Sequence, residues 1–313
     1  MPPVVRLLAP AKVNLALAVG PPAEDGMHPI SSWMVTIDLC DELLVTRLPD
    51  DRFSRYAILW HEEARRRSDI DWSITRDLAV RAHLALEAHV GRRLPVQLKL
   101  EKRIPVGGGL GGGSSDAAAM LRAVDALFDL GLGDEELARI GAGLGSDVPF
   151  LVRGGSAIVE GLGERLEPHA AHPELHLVLL LPESACPTGP VYAAFDEQSP
   201  GPLRDDAVRR LAGDGTLPPD PAALFNDLAP AAMRLAPELG TLSDAFGALA
   251  ERPAHLTGSG STLFVLADDA LHAEFLARAA GERLGVPAIP AAARGGPAFA
   301  PVDDDARSME TTG

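Results

Sequence analysis

The order of patterned segments predicts a two-lobed α+β protein, and three observations carry that prediction. Apolar strand patterns at the N-terminus lead into a glycine-rich loop and a helix. A second helix and further strands follow, and another strand-and-helix set fills the C-terminal half. The 313 residues give room for one large or two medium domains, and a hydrophobic content of 46% is enough to build cores. We divide the chain into residues 1–168, 169–293 and a tail, 294–313. The tail's small residues, prolines and Asp303-Asp304-Asp305 predict disorder.

The N-terminal strands come first. Residues 4–9 are a strand candidate, and a second, residues 10–19, contains Lys12, Asn14 and Ala16 on one face opposite Val13, Leu15 and Leu17. A Lys and an Asn on an interior strand need polar company; a solvated edge strand would also accommodate them. Residues 20–26 read as a turn, and 33–39 and 40–45 as two strands. Residues 48–72 are charged and irregular, a surface insertion whose Arg65-Arg66-Arg67 run is taken as a solvated face. A helix is expected from Asp77 to about residue 90. Residues 96–104 then alternate apolar and polar as a half-buried strand does.

That strand runs into Pro105-Val106-Gly107-Gly108-Gly109-Leu110-Gly111-Gly112-Gly113-Ser114-Ser115-Asp116, and residues 117–127 have helical spacing. Six glycines in seven positions cost backbone entropy and allow close approach of the main chain. Strand, glycine loop, Ser-Ser-Asp and helix gather free N–H groups at a helix N-terminus, a site for a nucleotide phosphate. The G-x-G-x-x-G within it is weak alone, and the Gly-Lys-Ser/Thr of a Walker loop is absent. No second parallel strand ending in a ribose-binding acid follows, which disfavours a dinucleotide fold. A flexible linker is the bland alternative.

Beyond the loop, residues 135–144 read as a helix, and Gly145-Ser146-Asp147-Val148-Pro149-Phe150 places a carboxylate at a turn, where a helix cap or Asx-turn is the simpler reading. Strands are expected at 156–159, 176–181, 263–266 and 287–292, and helices at 226–235, 239–249 and 270–284. The Pro- and Gly-rich stretch 182–221 is left irregular, with Tyr192 as a loop aromatic.

The net charge of −16 argues against nucleic acid and anionic membranes as partners. Two distant cysteines, Cys40 and Cys186, predict a reducing compartment with neither disulfide framework nor structural zinc. No apolar run has membrane-spanning length, and no signal-peptide pattern is read at the N-terminus. A cytoplasmic protein is expected, as monomer or homodimer.

The loop, from Ile104 to Ala118, resembles the phosphate loop of the GHMP kinases, and its triple glycine followed by Ser-Ser is most similar to the branch acting on a cytidine diphosphate-linked methylerythritol. Ala11-Lys12-Val13-Asn14-Leu15, Gly145 to Phe150 and Thr257-Gly258-Ser259-Gly260-Ser261-Thr262 resemble that family's other motifs, and the likeness spans about residues 5–292. The resemblance implies the family's fold, with an N-terminal lobe like ribosomal protein S5 domain 2 and a ferredoxin-like C-terminal lobe.

It also implies roles. Lys12 and Asp147 are the expected catalytic pair: Asp147 takes the proton of the attacking alcohol, and Lys12 pairs with it and favours the alkoxide. Lys102, Pro105, Val106, Gly107, Gly108, Gly109, Leu110, Gly111, Gly112, Gly113, Ser114 and Ser115 would bind ATP, with Ser115 also able to face Mg²⁺. Asn14, Met27, His28, Tyr192, Gly258, Ser259 and Gly260 would bind the cytidylated alcohol. Met27 and Asp77 stand where the family has Tyr and Asn. The implied activity is ATP-dependent phosphorylation of the substrate's 2-hydroxyl, in a non-mevalonate isoprenoid route. The alternatives are another small-alcohol kinase of the same family, of homoserine or phosphomevalonate type, and a non-catalytic nucleotide-binding regulator.

Overall fold

The computed structural model describes residues 3–169, 175–184, 186–213 and 219–300. In chain order the strands are β1 (Val4–Val19), β2 (Ile30–Arg47), β3 (Arg55–Trp60), β4 (Val96–Lys102), β5 (Ser156–Gly161), β6 (Arg165–Pro168), β7 (His176–Leu180), β8 (Phe225–Asn226), β9 (His255–Leu256), β10 (Leu263–Ala267), β11 (Ala288–Ala292) and β12 (Ala298–Ala300). The helices are α1 (Leu78–Val90), α2 (Gly112–Phe128), α3 (Gly133–Ala142), α4 (Val148–Arg153), α5 (Thr188–Asp196), α6 (Asp205–Ala212), α7 (Ala229–Leu235), α8 (Pro237–Ala250) and α9 (Ala270–Leu284).

Two sheets organise these elements. The first runs β12-β1-β2-β4-β3, with β5, β6 and β8 as side members; the second runs β11-β7-β10-β9. Three apolar cores separate the layers. One lies between the first sheet and α1 to α4, and includes Leu7, Leu98, Met120 and Phe150. One joins the two sheets through Val13, Leu15, Leu177 and Phe264. The third packs α5, α7, α8 and α9 on the far side of the second sheet, around Phe246 and Val265.

β1 runs through Pro10 as one strand, where two were expected, because an irregularity in its pairing with β2 between Pro10 and Lys12 absorbs the proline. That irregularity also reverses the faces. Leu7 and Ala9 lie in the helix-side core, whereas Ala11, Val13 and Leu15 lie between the sheets. A slip of one residue exchanges the two faces of a strand, so Lys12 and Asn14 are carried to the helix side. A second irregularity between Asn14 and Ala16 closes this stretch.

Other expectations are corrected by packing. Residues 33–45 lie within the single strand β2, whose apolar side chains reach a core from both halves. The 48–72 insertion contributes β3, parallel to β4 at the sheet edge. The stretch 182–221 forms α5 and α6, held by Val191, Phe195 and Val208 in the cores. The tail is ordered at its start: β12 pairs with Arg6, Leu7 and Leu8 of β1, and the carbonyls of Arg294 and Gly295 accept from the Thr36 hydroxyl at 2.7 and 3.1 Å. The rest of the expected tail, including Asp303-Asp304-Asp305, lies outside the described residues.

Candidate active site

The edge of β1 opposite β2 is filled by β12 at Arg6–Leu8 and by β8 at Ala16–Leu17. Between them the strand offers its N–H groups to two loops. Lys12 N–H donates to the Leu110 carbonyl at 2.9 Å, and Asn14 N–H donates to Thr257 Oγ1 at 3.1 Å. The two glycine loops, 105–111 and 257–262, therefore dock side by side in a gap of the sheet edge. They also dock on each other: Thr262 N–H donates to the Gly108 carbonyl at 3.2 Å. A Cβ on Gly109 would lie 2.2 Å from the Thr257 carbonyl oxygen, so only glycine permits this approach.

Leu110 is fully buried and pins the phosphate loop by its side chain. Gly111 follows in a left-handed conformation, φ 71°, and α2 starts at Gly112, earlier than the expected residue 117. No side chain caps α2 and no acid sits in its first turn. The N–H groups of Gly112, Gly113 and Ser114 thus have no partner within the helix, at the positive end of a 17-residue dipole. Pro105 is buried, while Val106 and Gly107 are exposed at the loop's outer turn.

The polar side chains converge on the same place. Lys12 Nζ donates to Asn14 Oδ1 at 2.7 Å and lies 3.6 Å from Asp147 Oδ2. Asn14 Oδ1 also accepts from Gly258 N–H at 3.0 Å and from the Thr257 hydroxyl at 3.3 Å, and Asn14 Nδ2 donates to Ser32 Oγ at 2.8 Å. Asp147 precedes α4 but caps no N–H of it, so its carboxylate is not occupied as a cap would be. A solvated edge strand for Lys12 and Asn14 is thereby ruled out.

Ser115 is fully buried in the first turn of α2 and its hydroxyl has no hydrogen-bond partner. An orphaned hydroxyl at a helix start fits an oxygen-seeking cation or a phosphate. Among the described residues no cluster of three or more acidic, His or Cys side chains could hold a metal.

Lys102 lies elsewhere. Its buried ammonium is bound between Asp41, at 2.6 Å, and Asp116. Asp41 Oδ1 also accepts the N–H groups of Arg103 and Ile104, the latter at 2.7 Å. This triad staples the start of the phosphate loop to β2 and α2, and it commits Lys102 to structure. Two carboxylates share one ammonium. Asp41 has backbone donors as well, so burial falls hardest on Asp116, whose Oδ1 has no partner and whose pKa is pushed well above the usual carboxylate range. The same carboxylates hold the Lys102 pKa above its ordinary value, against burial.

His28 meets α5. Its Nε2 lies 2.7 Å from Asp196 Oδ1, and its ring centroid is 4.8 Å from that of Tyr192, tilted 54°. Tyr192 and Asp196 are four residues apart and share one helix face; the register was legible once α5 was a helix, but Asp196 was not singled out in the sequence. Burial, with a smaller effect from the charge of Asp147, pushes the Tyr192 phenol up to about 12. Met27 is half-exposed at the preceding turn. Of the second glycine loop, Gly258 reaches the site. Ser259 bonds the Cys186 carbonyl at 3.3 Å and Thr188 at 3.2 Å, and Gly260 faces Leu256 and Cys186. Asp77 caps α1 through Ala79 N–H at 2.9 Å. Sequence reasoning gave no individual role to Thr257 or Asn226. Asn226 Nδ2 holds the Leu256 and Gly258 carbonyls at 2.8 Å each.

The sequence of residues 77–155 matches the family model described as GHMP kinases N terminal domain. The 4-diphosphocytidyl-2-C-methyl-D-erythritol kinase of Thermobifida fusca is 40% identical over 285 residues, covering 89% of this chain and 92% of its own. This chain belongs to the 4-diphosphocytidyl-2-C-methyl-D-erythritol kinase family. The kinase of that name from Streptomyces coelicolor is 38% identical, over 87% of this chain and 91% of its own. A crystal structure of 4-(cytidine 5'-diphospho)-2C-methyl-D-erythritol kinase superposes with TM-score 0.73 at 35% identity, covering 93% of this chain and 100% of that one. The homoserine kinase of Cytophaga hutchinsonii shares the fold at 15% identity, TM-score 0.64, over 95% of this chain and 97% of its own.

Proposed function

We propose that this chain transfers the γ-phosphoryl group of ATP to the 2-hydroxyl of 4-diphosphocytidyl-2-C-methyl-D-erythritol. The kinase activity follows from the family, which the relatives establish over most of the chain. The residue roles are our reading, and the observation that carries them is the Lys12–Asp147 pair, 3.6 Å apart, beside the uncapped start of α2.

The N–H groups of Gly112, Gly113 and Ser114 receive the phosphates, and the glycines let the nucleotide approach the backbone. The alcohol sits between them and Asp147. As its oxygen bonds to the γ-phosphorus and the bond to ADP breaks, the hydroxyl proton passes to the Asp147 carboxylate. Lys12, oriented by Asn14, stabilises the negative charge on the attacking oxygen. Mg²⁺ would be held by the phosphates with Ser115 and would supply charge neutralisation. His28, held by Asp196, addresses the cytosine edge, with the Tyr192 ring stacking on the base and the Met27 thioether packing against its face. Residues 1–168 and 169–293 serve as the two lobes of a cytoplasmic enzyme of small molecules, monomeric or dimeric, a reading the net charge of −16 supports. No helix among the described residues is long and apolar enough to cross a membrane.

The test is steady-state turnover of the cytidylated alcohol by wild type and Asp147→Asn. The variant loses on the order of 10²-fold or more in kcat, with ATP affinity nearly unchanged. Wild-type turnover in that variant would remove Asp147 from the mechanism.

A further inference from the structure

The cations around the two glycine loops are almost all committed to carboxylates. Lys12 faces Asp147, and Lys102 is shared by Asp41 and Asp116. Arg103 has Glu42 at 3.9 Å. A triphosphate placed on the phosphate loop meets uncharged N–H groups and one ammonium that already has a counter-ion. Among the described residues, Arg66 differs.

Arg66 comes from the 48–72 insertion. The segment leaves β3 beside Lys102, where His61 N–H donates to the Lys102 carbonyl at 2.9 Å, just before the phosphate loop begins. It then crosses to the C-terminal lobe. Arg66 Nη1 donates to Ser261 Oγ and Nη2 to the Glu183 carbonyl, each at 3.4 Å. Ser261 adjoins Thr262, the residue that bonds the Gly108 carbonyl, and Thr262 Oγ1 is buried with no partner. Among the described residues no carboxylate lies within ion-pair distance of Arg66, and its two hydrogen bonds are long and go to neutral acceptors. The side chain is half-buried, which pulls its pKa below the ordinary arginine value, and Glu183 offsets this only at a distance. The expectation that the Arg65–Arg67 run is a solvated face therefore fails at Arg66. A partly desolvated guanidinium held by two weak contacts is a site for an anion.

We propose that Arg66 is a phosphate ligand for ATP, supplied by the insertion from the flank of the phosphate loop. On nucleotide binding its planar fork exchanges the Ser261 and Glu183 contacts for phosphate oxygens, adding the full positive charge that the backbone cradle lacks. The proposal rests on the ATP site described above.

The experiment compares wild type, Arg66→Ala and Arg66→Lys, using calorimetry with ATP, ADP and AMP and kinetics with both substrates. Thermal unfolding checks that each variant is folded. Arg66→Ala is expected to weaken ATP binding about 10-fold, the worth of one charge-assisted hydrogen bond. AMP is affected far less, and KM for the cytidylated alcohol stays unchanged. The difference shrinks as salt is raised. Arg66→Lys recovers part of the loss, since a point charge replaces the fork. Unchanged ATP affinity in Arg66→Ala overturns the proposal. So does an equal loss for ATP and AMP, or an equal rise in both KM values, which would make Arg66 a strap between the lobes. Wild-type protein that binds no ATP would instead overturn the kinase site itself.

Discussion

The ammonium of Lys12 is bound at 2.7 Å by the side-chain oxygen of Asn14, two residues along the same face of β1. That oxygen also accepts from Gly258 and Thr257, so one amide aligns the cation and anchors the C-terminal glycine loop.

Asn14→Leu removes the only acceptor that these three donors share. Each buried donor left unpaired costs about 1–3 kcal/mol, and a loss of several kcal/mol in unfolding free energy is expected by urea titration. Asn14→Asp keeps the acceptor but adds a carboxylate that competes with Asp147 for Lys12. The variant is expected to fold, with kcat lowered by about 10-fold or more, a change of about 1.4 kcal/mol.

Gly109→Ala separates the two loops. The new Cβ meets main chain, the Thr257 carbonyl at 2.2 Å, at a φ of +76° that disfavours any side chain. ATP affinity by calorimetry and kcat should both collapse, while the helical circular-dichroism signal stays near wild type. Gly107→Ala, with nothing within 4 Å of its Cβ, serves as the control and bears only the strain of φ +71°.

The Lys102 triad makes a prediction about pH. Lys102→Met leaves the buried Asp41 and Asp116 carboxyls without their shared counter-ion and costs about 3–5 kcal/mol. Asp116 has a folded-state pKa above its unfolded one. Between those two values the native state holds the extra proton, so this residue's contribution to stability declines as pH rises through the window, and is restored as pH falls. Asp116→Asn lacks that slope. In denaturation at pH 5 and pH 8, the variant should gain on wild type at the higher pH; parallel curves would show that Asp116 is ionised throughout.

Tyr192→Ala should raise KM for the cytidylated alcohol by about 10-fold, since a stacked base is worth about 1–3 kcal/mol, with KM for ATP unchanged. Asp196→Asn, which weakens the hold on His28, should move the same KM in the same direction and by less.

The phosphate loop was legible because chemistry imposes it locally, with glycines where backbone must approach a phosphate. Lys12 and Asp147, read alone as an edge strand and a helix cap, were singled out only by the family resemblance of their motifs. What escaped was set by distant partners. Pro10 reads as a break between strands, and only the pairing with β2 reveals a bulge. Lys102 sits one residue from Arg103 and three from Pro105, which makes it look like part of the nucleotide site; Asp41, 61 positions earlier, claims it. α5 was hidden by its Pro187 and Gly189 start, and with it the Asp196 partner of His28. The Arg65–Arg67 run looks uniform in sequence, yet only Arg66 crosses to the other lobe.

The open edge of β1 has a consequence for the order of synthesis. Residues 4–19 are made before all of their partners, and β2 can pair with them as soon as it follows. Their other edge must wait for residue 110, then for 225–227 and 257, and last for 298–300. A nascent chain that stops short of residue 257 carries Lys12 without the loop that completes its surroundings. Activity should emerge only after the loop at 257–262 has been made and has docked on β1.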